Sequence, residues 1–319
     1  MKKYKIFRDT FIIIILLVLF MTWYHHKFLS NPVTSSIGQR IYLITMDKES
    51  QYWHTLNQGV KDMADIIGIS YIWAAPEERD VDEQIKIFQE AVDSGASVIL
   101  LAASDPVKIS NAVKEAKEKG VKIIYVDSPA VEPAIVTLAT ENYTAGMIAG
   151  HRMILELDEM SIKEGSIGII SVTPENTTTI NREKGFRDVI TLDGRYQVLD
   201  TIYTDGDIES SQEAAIKLIN LKNDLVGLFG TNEGATIGVG NAIRDTNQKI
   251  IGVGFDYTPQ IQELLRNQSL DSVLVQNPYT MGYLGMAEAV AALSGHNTGP
   301  SYINTGVSII TKFQPRPAQ

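Results

Sequence analysis

From Ile41 onward the chain alternates two hydrophobic patterns. Short unbroken apolar runs, IYLIT (41–45), SVILLA (97–102), KIIYVD (122–127), SIGIISV (166–172), LVGLFG (225–230) and IIGVGFD (250–256), are separated by segments whose apolar residues recur at helical spacing. A run apolar on both faces predicts a strand covered on both sides, as in a parallel sheet. The intervening segments predict helices over 53–67, 82–93, 105–119, 209–220 and 233–244, several ended by Gly68, Gly95 or Gly120. Glycine suits those ends because it takes the left-handed conformation that stops a helix without a Cβ clash. Strands alternating with helices predict an α/β fold with right-handed crossovers.

Pieces of this pattern recur. Gly59-Val60-Lys61-Asp62 returns as Gly185-Phe186-Arg187-Asp188, Val98 to Ala102 is echoed by Val226 to Gly230, and Lys122 to Asp127 by Lys249 to Asp256, at offsets of about 126 to 129 residues. A shared order at a near-constant offset predicts two similar Rossmann-like lobes. Open parallel sheets bind ligands outside the carboxyl ends of their strands, so residues just after the apolar runs should line a cleft between the lobes.

The N-terminus follows another pattern. Lys2, Lys3, Lys5 and Arg8 precede an uncharged block, TFIIIILLVLFMTWY (10–24). At about 1.5 Å per residue the block spans roughly 22 Å against a hydrocarbon core of roughly 30 Å, so length alone leaves signal peptide and membrane anchor both open. Trp23, Tyr24, His25, His26, Lys27 and Phe28 stand where a signal peptidase needs small residues, which points to an uncleaved transmembrane helix. The basic flank would lie in the cytoplasm and everything after residue 30 outside the membrane. Residues 1–30 then form flank and anchor, 31–39 a tether and the polar tail 314–319 an unstructured end.

Composition narrows the function. The chain has 319 residues and a net charge of −10; the first nine carry +3, so the remainder carries −13. That balance, with no basic stripe, argues against nucleic acid. With no cysteine, disulfides, thiol catalysis, Cys zinc sites and a lipid on an N-terminal Cys are all absent. No GxxxxGK[ST] or GxGxxG turn occurs to cradle a phosphate. The five histidines include two beside the apolar block, and His54, His151 and His296 follow no strand end. A hydrolytic nucleophile therefore lacks a base, and the chain is expected to be no enzyme, with no cofactor and no metal.

What stands at the predicted strand ends is polar and aromatic: Tyr52, Trp53, Asp127, Arg182, Asn232, Asp256 and Gln276. Carboxylates, a guanidinium and planar amides can make paired hydrogen bonds to vicinal hydroxyls, and aromatic faces pack on the C–H faces of a sugar. Taken singly, each has a structural reading: the aspartates and Asn232 as helix caps, Arg182 as a solvated helix residue, Tyr52 and Trp53 as core. Their joint placement favours a site for a neutral polyhydroxylated ligand.

Six motifs, YWHTLNQGVKDMADIIG (52–68), KIIYVDSPA (122–130), LATENYTAGMIAG (138–150), INREKGF (180–186), LFGTNEGATIGVGNAI (228–243) and GVGFDYTPQ (252–260), followed by VQNPYTMGYLG (275–285), carry a resemblance. Over roughly residues 38 to 312 the chain resembles the bilobed bacterial sugar-binding proteins of the ribose, xylose and galactose type, related in fold to the sensor half of lac-repressor-like regulators. The resemblance implies lobes of residues 40–140 plus 277–305 and 141–276 plus 306–313, with crossings near Thr140–Glu141, Gln276–Asn277 and Thr305–Gly306. Tyr52 and Trp53 match the aromatic pair that stacks on the sugar. Asp127, Arg182, Asn232, Asp256 and Gln276 match the cleft's polar residues, and Asn142 is carried over near the first crossing.

The chain departs from the ribose-type pattern at Ser128, where an arginine commonly follows the cleft aspartate, and at Gly206, near a third aromatic. Losing the guanidinium fork argues against ribose. The expected ligand is a neutral monosaccharide, a pentose or hexose pyranose, with D-xylose favoured since the anchored architecture resembles xylose-responsive relatives. The expected partner is the extracellular domain of a sensor histidine kinase; the alternative is the permease of an ABC sugar importer. A repressor would need a helix-turn-helix where this chain carries a hydrophobic segment.

Overall fold

The computed structural model describes residues 14–23, 40–296 and 298–312. It divides into two units, Met1–Gln39 and Arg40–Gln319. In the first, residues 14–23 are helical (α1), with the large apolar side chains of residues 14–21 and Trp23 exposed. Among the described residues no helix is long and apolar enough to cross a membrane. Of the expected transmembrane block 10–24 the described part is residues 14–23, which does not show the expected anchor, and the tether 31–39 and tail 314–319 lie outside the described residues.

The second unit holds two sheets. The first takes β1 (Arg40–Ile44), β2 (Tyr71–Ala74), β3 (Ala96–Leu101), β4 (Lys122–Val126), β5 (Thr137–Ala139) and β12 (Tyr302–Asn304) in the order β12-β5-β4-β3-β1-β2, every pair parallel. The second takes β6 (Gly165–Ser171), β7 (Tyr196–Val198), β9 (Leu225–Gly230), β10 (Ile251–Phe255), β11 (Ser272–Val275) and β13 (Ser308–Thr311) in the order β13-β11-β10-β9-β6-β7. There β8 (Ile202–Tyr203) also pairs with β6, and only β13 runs antiparallel.

Side chains alternate across each sheet, and both faces are covered. In the first lobe Val98 and Leu100 of β3 join a core with α2 (Gln51–Ile67) and α10 (Pro278–Leu293), while Ile99 and Leu101 join another with α3 (Val81–Asp93) and α4 (Ser110–Glu118). In the second, Phe229 of β9 packs with α5 (Asn142–Glu159) and α6 (Thr177–Asp193). Leu228 packs on the other face with α7 (Ile208–Leu221), α8 (Glu233–Thr246) and α9 (Pro259–Arg266). This is why the strand sequences read as unbroken apolar runs.

The repeat seen in sequence marks equivalent close contacts. A Cβ on Gly59 of α2 would stand 2.0 Å from the Tyr279 carbonyl oxygen of α10, and one on Gly185 of α6 would stand 2.1 Å from the Tyr143 carbonyl oxygen of α5. Gly282 and Gly146 return the contact at 2.0 Å each. Only glycine lets these helix pairs approach so closely.

The chain passes from the first sheet to the second after β5, back after β11, and over again between β12 and β13. The helix predicted over 105–119 starts later, at Ser110. Asp105 Oδ1 instead accepts the backbone N–H groups of Val107 and Lys108, both at 2.9 Å, and holds a separate turn ahead of the helix. Such side-chain bonds compete with helical ones.

Candidate functional site

A cleft of about 690 Å³ opens where the two lobes face each other, within the range usual for small-molecule sites. Its walls are the segments that follow β1, β2, β4, β6, β8, β9, β10 and β11, all at carboxyl ends of strands. Of the residues singled out in sequence, Tyr52, Trp53, Asp127, Arg182, Asn232, Asp256 and Gln276 line it.

Asp127 and Asp256 occupy equivalent places after β4 and β10, both in the left-handed region at φ 67° and 74°. The next strand fixes each: Asp127 N donates to the Leu138 carbonyl and Asp256 N to that of Leu274, both at 2.8 Å. A non-glycine residue held at positive φ costs of order 1–3 kcal/mol and persists where its surroundings over-determine it. Here that conformation aims a carboxylate into the cleft from each lobe.

In the first lobe Asp127 is held ready by its neighbours. Tyr52 Oη donates to Oδ1 at 2.5 Å and Ser128 Oγ to Oδ2 at 2.6 Å. Each carboxylate oxygen keeps a further lone pair for a ligand hydroxyl. Burial first, then the charge of Asp127, pushes the Tyr52 hydroxyl well above its ordinary pKa, so it stays a donor. Trp53 Nε1 donates to Asp47 Oδ2 at 3.0 Å. The two rings meet edge to face, 4.9 Å apart. At 8% and 4% exposure they belong to the core and line the cleft at once, so the two readings of these residues are compatible.

In the second lobe Arg182 is the centre of a buried network. Its Nε donates to Asn142 Oδ1 at 2.8 Å, one terminal nitrogen to the Thr231 carbonyl at 2.9 Å and the other to Gln276 Oε1. The guanidinium also lies over the Phe255 ring, 4.1 Å from its centroid. Three of its five N–H groups are thereby used and two remain for a ligand. Gln276 Oε1 also accepts from Thr140 Oγ1 at 3.0 Å, and its Nε2 donates to Asp256 Oδ1 at 2.9 Å. Burial pushes Asp256 up to about 7, against the pull of Arg182.

One placement differs from what the sequence suggested, and another joins its two readings. Asn142 does not line the cleft; it sits behind Arg182 and orients the guanidinium, its own Nδ2 donating to the Thr140 carbonyl at 2.9 Å. Asn232 is both a cleft residue and a cap: its Oδ1 accepts the Ala235 N–H at 3.1 Å to start α8, and its Nδ2 donates to the Gly206 carbonyl at 3.0 Å. Gly206 has φ 79°, and a Cβ there would lie 2.9 Å from Val172. That wall of the cleft is lined by Val172, Gly206 and Ile208.

Several cleft residues escaped the sequence reading, among them Asp47, Arg79 and Glu233. Asp47 follows β1 by three positions, and the strand-end rule that found Asp127 could have found it. Glu233 follows β9 by three positions as well, whereas Arg79, five positions past β2 in a loop, carries no such signal. Glu233 opens α8 in the second lobe and crosses to the first, where its Oε2 accepts from Ser50 Oγ at 3.1 Å and from Tyr52 N at 3.0 Å. A second contact between the lobes joins the Ser128 and Thr178 hydroxyls at 2.8 Å. The lobes are thus closed on each other.

The cleft's polar groups are donors and acceptors largely held by one another, and among the described residues that line it there is no histidine to serve as a base. Among the described residues no group of three or more His, Cys, Asp or Glu could hold a metal ion.

Residues 41–297 match the periplasmic binding protein domain family. The xylose/arabinose-binding protein XylF of Sulfolobus acidocaldarius is 25% identical over 310 residues, 91% of this chain and 75% of its own. The ribose import binding protein RbsB of Haemophilus influenzae is 23% identical over 265 residues, 82% of this chain and 88% of its own. A carbohydrate transporter solute-binding protein of Agrobacterium radiobacter, solved with D-arabinose, superposes with a TM-score of 0.84 at 28% identity, over 87% of this chain and 96% of its own. These relatives are binding proteins rather than enzymes, as the sequence led one to expect.

Proposed function

The chain belongs to the periplasmic binding protein domain family, and from that premise we propose that it is a membrane-anchored, extracytoplasmic receptor for a neutral monosaccharide. In this reading residues 40–140 plus 277–305 and residues 141–276 plus 306–313 act as jaws. Tyr52, Trp53 and Asp127 reach the sugar from the first, Arg182, Asn232, Asp256 and Gln276 from the second, and Asn142 steadies Arg182. The observation that carries the proposal is the pair of strand-end aspartates, one per lobe, aimed into one cleft beside two aromatic rings and a fixed guanidinium. A ligand touching both lobes favours the closed form by its difference in affinity for the two forms.

A pentose, D-xylose in particular, is the ligand we favour. The three relatives described above are named for or solved with pentoses, and Ser128 stands where the ribose-type pattern has an arginine. Calorimetry of the full-length protein against a panel of aldoses tests this: micromolar or tighter binding of one sugar is expected, and silence across the panel would refute it.

The basic residues before the apolar block, and the exposed apolar side chains of α1, support an anchor that holds the jaws at the outer surface. The output is then a sugar-dependent contact with the extracellular domain of a sensor histidine kinase. Coupling between the two binding events must be reciprocal. A second reading, delivery to an ABC importer, is favoured by relatives named as import and transporter binding proteins. Pull-down of the full-length protein with a neighbouring kinase ectodomain, with and without sugar, separates them: no binding in either condition leaves the importer.

A further inference from the structure

Arg79 lies in the loop between β2 and α3, a position set by its flanks. Asp80 Oδ1 accepts the Glu83 N–H at 2.9 Å to cap α3, and Lys48 ties down Glu77 through its backbone N–H at 3.4 Å and its ammonium at 3.1 Å. From that loop Arg79 faces the cleft, half-buried. It makes no hydrogen bond or ion pair with any described residue.

Three carboxylates act on Arg79 electrostatically: Asp47 and Asp127 from its own lobe and Asp205 from the other. Two are already committed. Asp47 takes Ser50 N at 2.9 Å and Trp53 Nε1 at 3.0 Å, and Asp127 takes Tyr52 and Ser128. Burial pulls the guanidinium's pKa down against all three. A desolvated cation with five N–H donors and no acceptor is unfavourable by itself, and a ligand supplying acceptors would remove that cost.

The charge of the cleft says which acceptors. Nine carboxylate side chains line it against two guanidiniums, so an anionic ligand is repelled and a neutral hydroxyl is the compatible partner. The Ser128 hydroxyl spans Asp127 and Thr178, so no guanidinium comes from the position after the aspartate.

Resting on the sugar-binding reading above, we propose that Arg79 is a specificity-determining residue, its planar fork donating paired N–H bonds to two adjacent hydroxyl oxygens of the sugar from the loop after β2. A fork recognises a pair of oxygens at fixed spacing. An epimer that moves one of them leaves a desolvated N–H without an acceptor, which is how a hydrogen-bonding site rejects a near-isostere.

The test is calorimetry of full-length wild type, Arg79→Ala and Arg79→Lys against D-xylose, D-ribose, L-arabinose, D-glucose and D-galactose, with thermal unfolding of each protein without sugar. The sugar wild type prefers should bind Arg79→Ala about 30-fold or more weakly. Arg79→Lys should recover part of the affinity and less of the preference among epimers. Without sugar, Arg79→Ala should unfold at or above the wild-type temperature, because it removes a cation with no partner; a structural arginine would lower it.

Affinity within threefold of wild type, an equal loss for every sugar, or a fall in the sugar-free unfolding temperature would overturn the proposal. A wild type that binds none of the sugars refutes the sugar-binding reading itself. A wild type that binds while Arg79→Ala keeps its affinity and preference refutes only the role of Arg79.

Discussion

The Glu233 carboxylate is the most direct handle on closure. It crosses from the first residue of α8 to the start of α2, taking the Ser50 hydroxyl and the Tyr52 N–H on one oxygen, and so places a negative charge at the positive end of a 17-residue helix. Hydrogen bonds to a charged group are worth about 1.5–3 kcal/mol each and a charge at a helix N-terminus about 0.3–1 kcal/mol. Against this stands desolvation: burial raises the Glu233 pKa despite its two donors, which offsets most of that gain. The net stabilisation of the closed form is then about 1–2 kcal/mol, or a factor of roughly 5–30.

Glu233→Ala should therefore reduce the closed population by up to that factor, and Glu233→Gln by less, since an amide oxygen still accepts. Two measurements on full-length protein share the effect. If the closed form dominates without sugar, small-angle scattering should show an expanded mutant. If it is the minor form, scattering barely moves and sugar affinity falls by the full factor, because apparent affinity scales with the competent fraction. Should Glu233→Ala fold normally yet leave both the scattering profile and the affinity within twofold of wild type, the latch is refuted.

Asp256 carries a pH prediction. In the folded chain it keeps its proton up to a pH of about 7, against 3.8 for the unperturbed group, so the folded state holds more protons between those values. Its contribution to stability is complete below pH 3.8 and is lost as pH rises to about 7, by at most about 4 kcal/mol. Asp256→Asn, which tolerates the left-handed backbone, should be more stable than wild type at pH 8, with the gap closing on acidification; denaturant titrations at pH 5 and pH 8 check it, and a constant gap would refute the assignment. Sugar hydroxyls favour the ionised acceptor, so wild-type affinity should also rise through pH 7 while that of the mutant stays flat. Gly185→Ala forces a Cβ to 2.1 Å from the Tyr143 carbonyl oxygen and should destabilise the second lobe by about 1–3 kcal/mol or more; an unfolding temperature within a degree of wild type would contradict the close approach of α5 and α6.

Reading by periodicity failed where burial is not one-sided. The sequence reading gave no range for α5, α6, α9 or α10; of these, α5 and α6 pack through Gly146, Gly150 and Gly185, leaving no clean apolar stripe. The short edge strands β2, β7, β8 and β12 were missed because partly exposed residues break the apolar run. Asp127 and Asp256 were legible because each closes an unbroken apolar run. Arg79 was not, since a loop residue before a helix cap looks the same whether its side chain points to water or into a cleft.

Composition and periodicity are local averages, and they suffice for what depends on burial alone: sheets covered on both faces, two lobes built from repeated pieces, and carboxylates at the strand ends. They hold no information on which atoms of a side chain are already engaged, because partners come from far along the chain. Ser50 and Glu233 meet across 183 positions and Arg182 and Gln276 across 94. Only the folded geometry shows that Asn142 stands behind Arg182, that Asn232 caps a helix while facing the cleft, and that Arg79 faces it without a partner. Hydrogen bonding is directional and short-ranged, so those assignments wait on the positions of both partners.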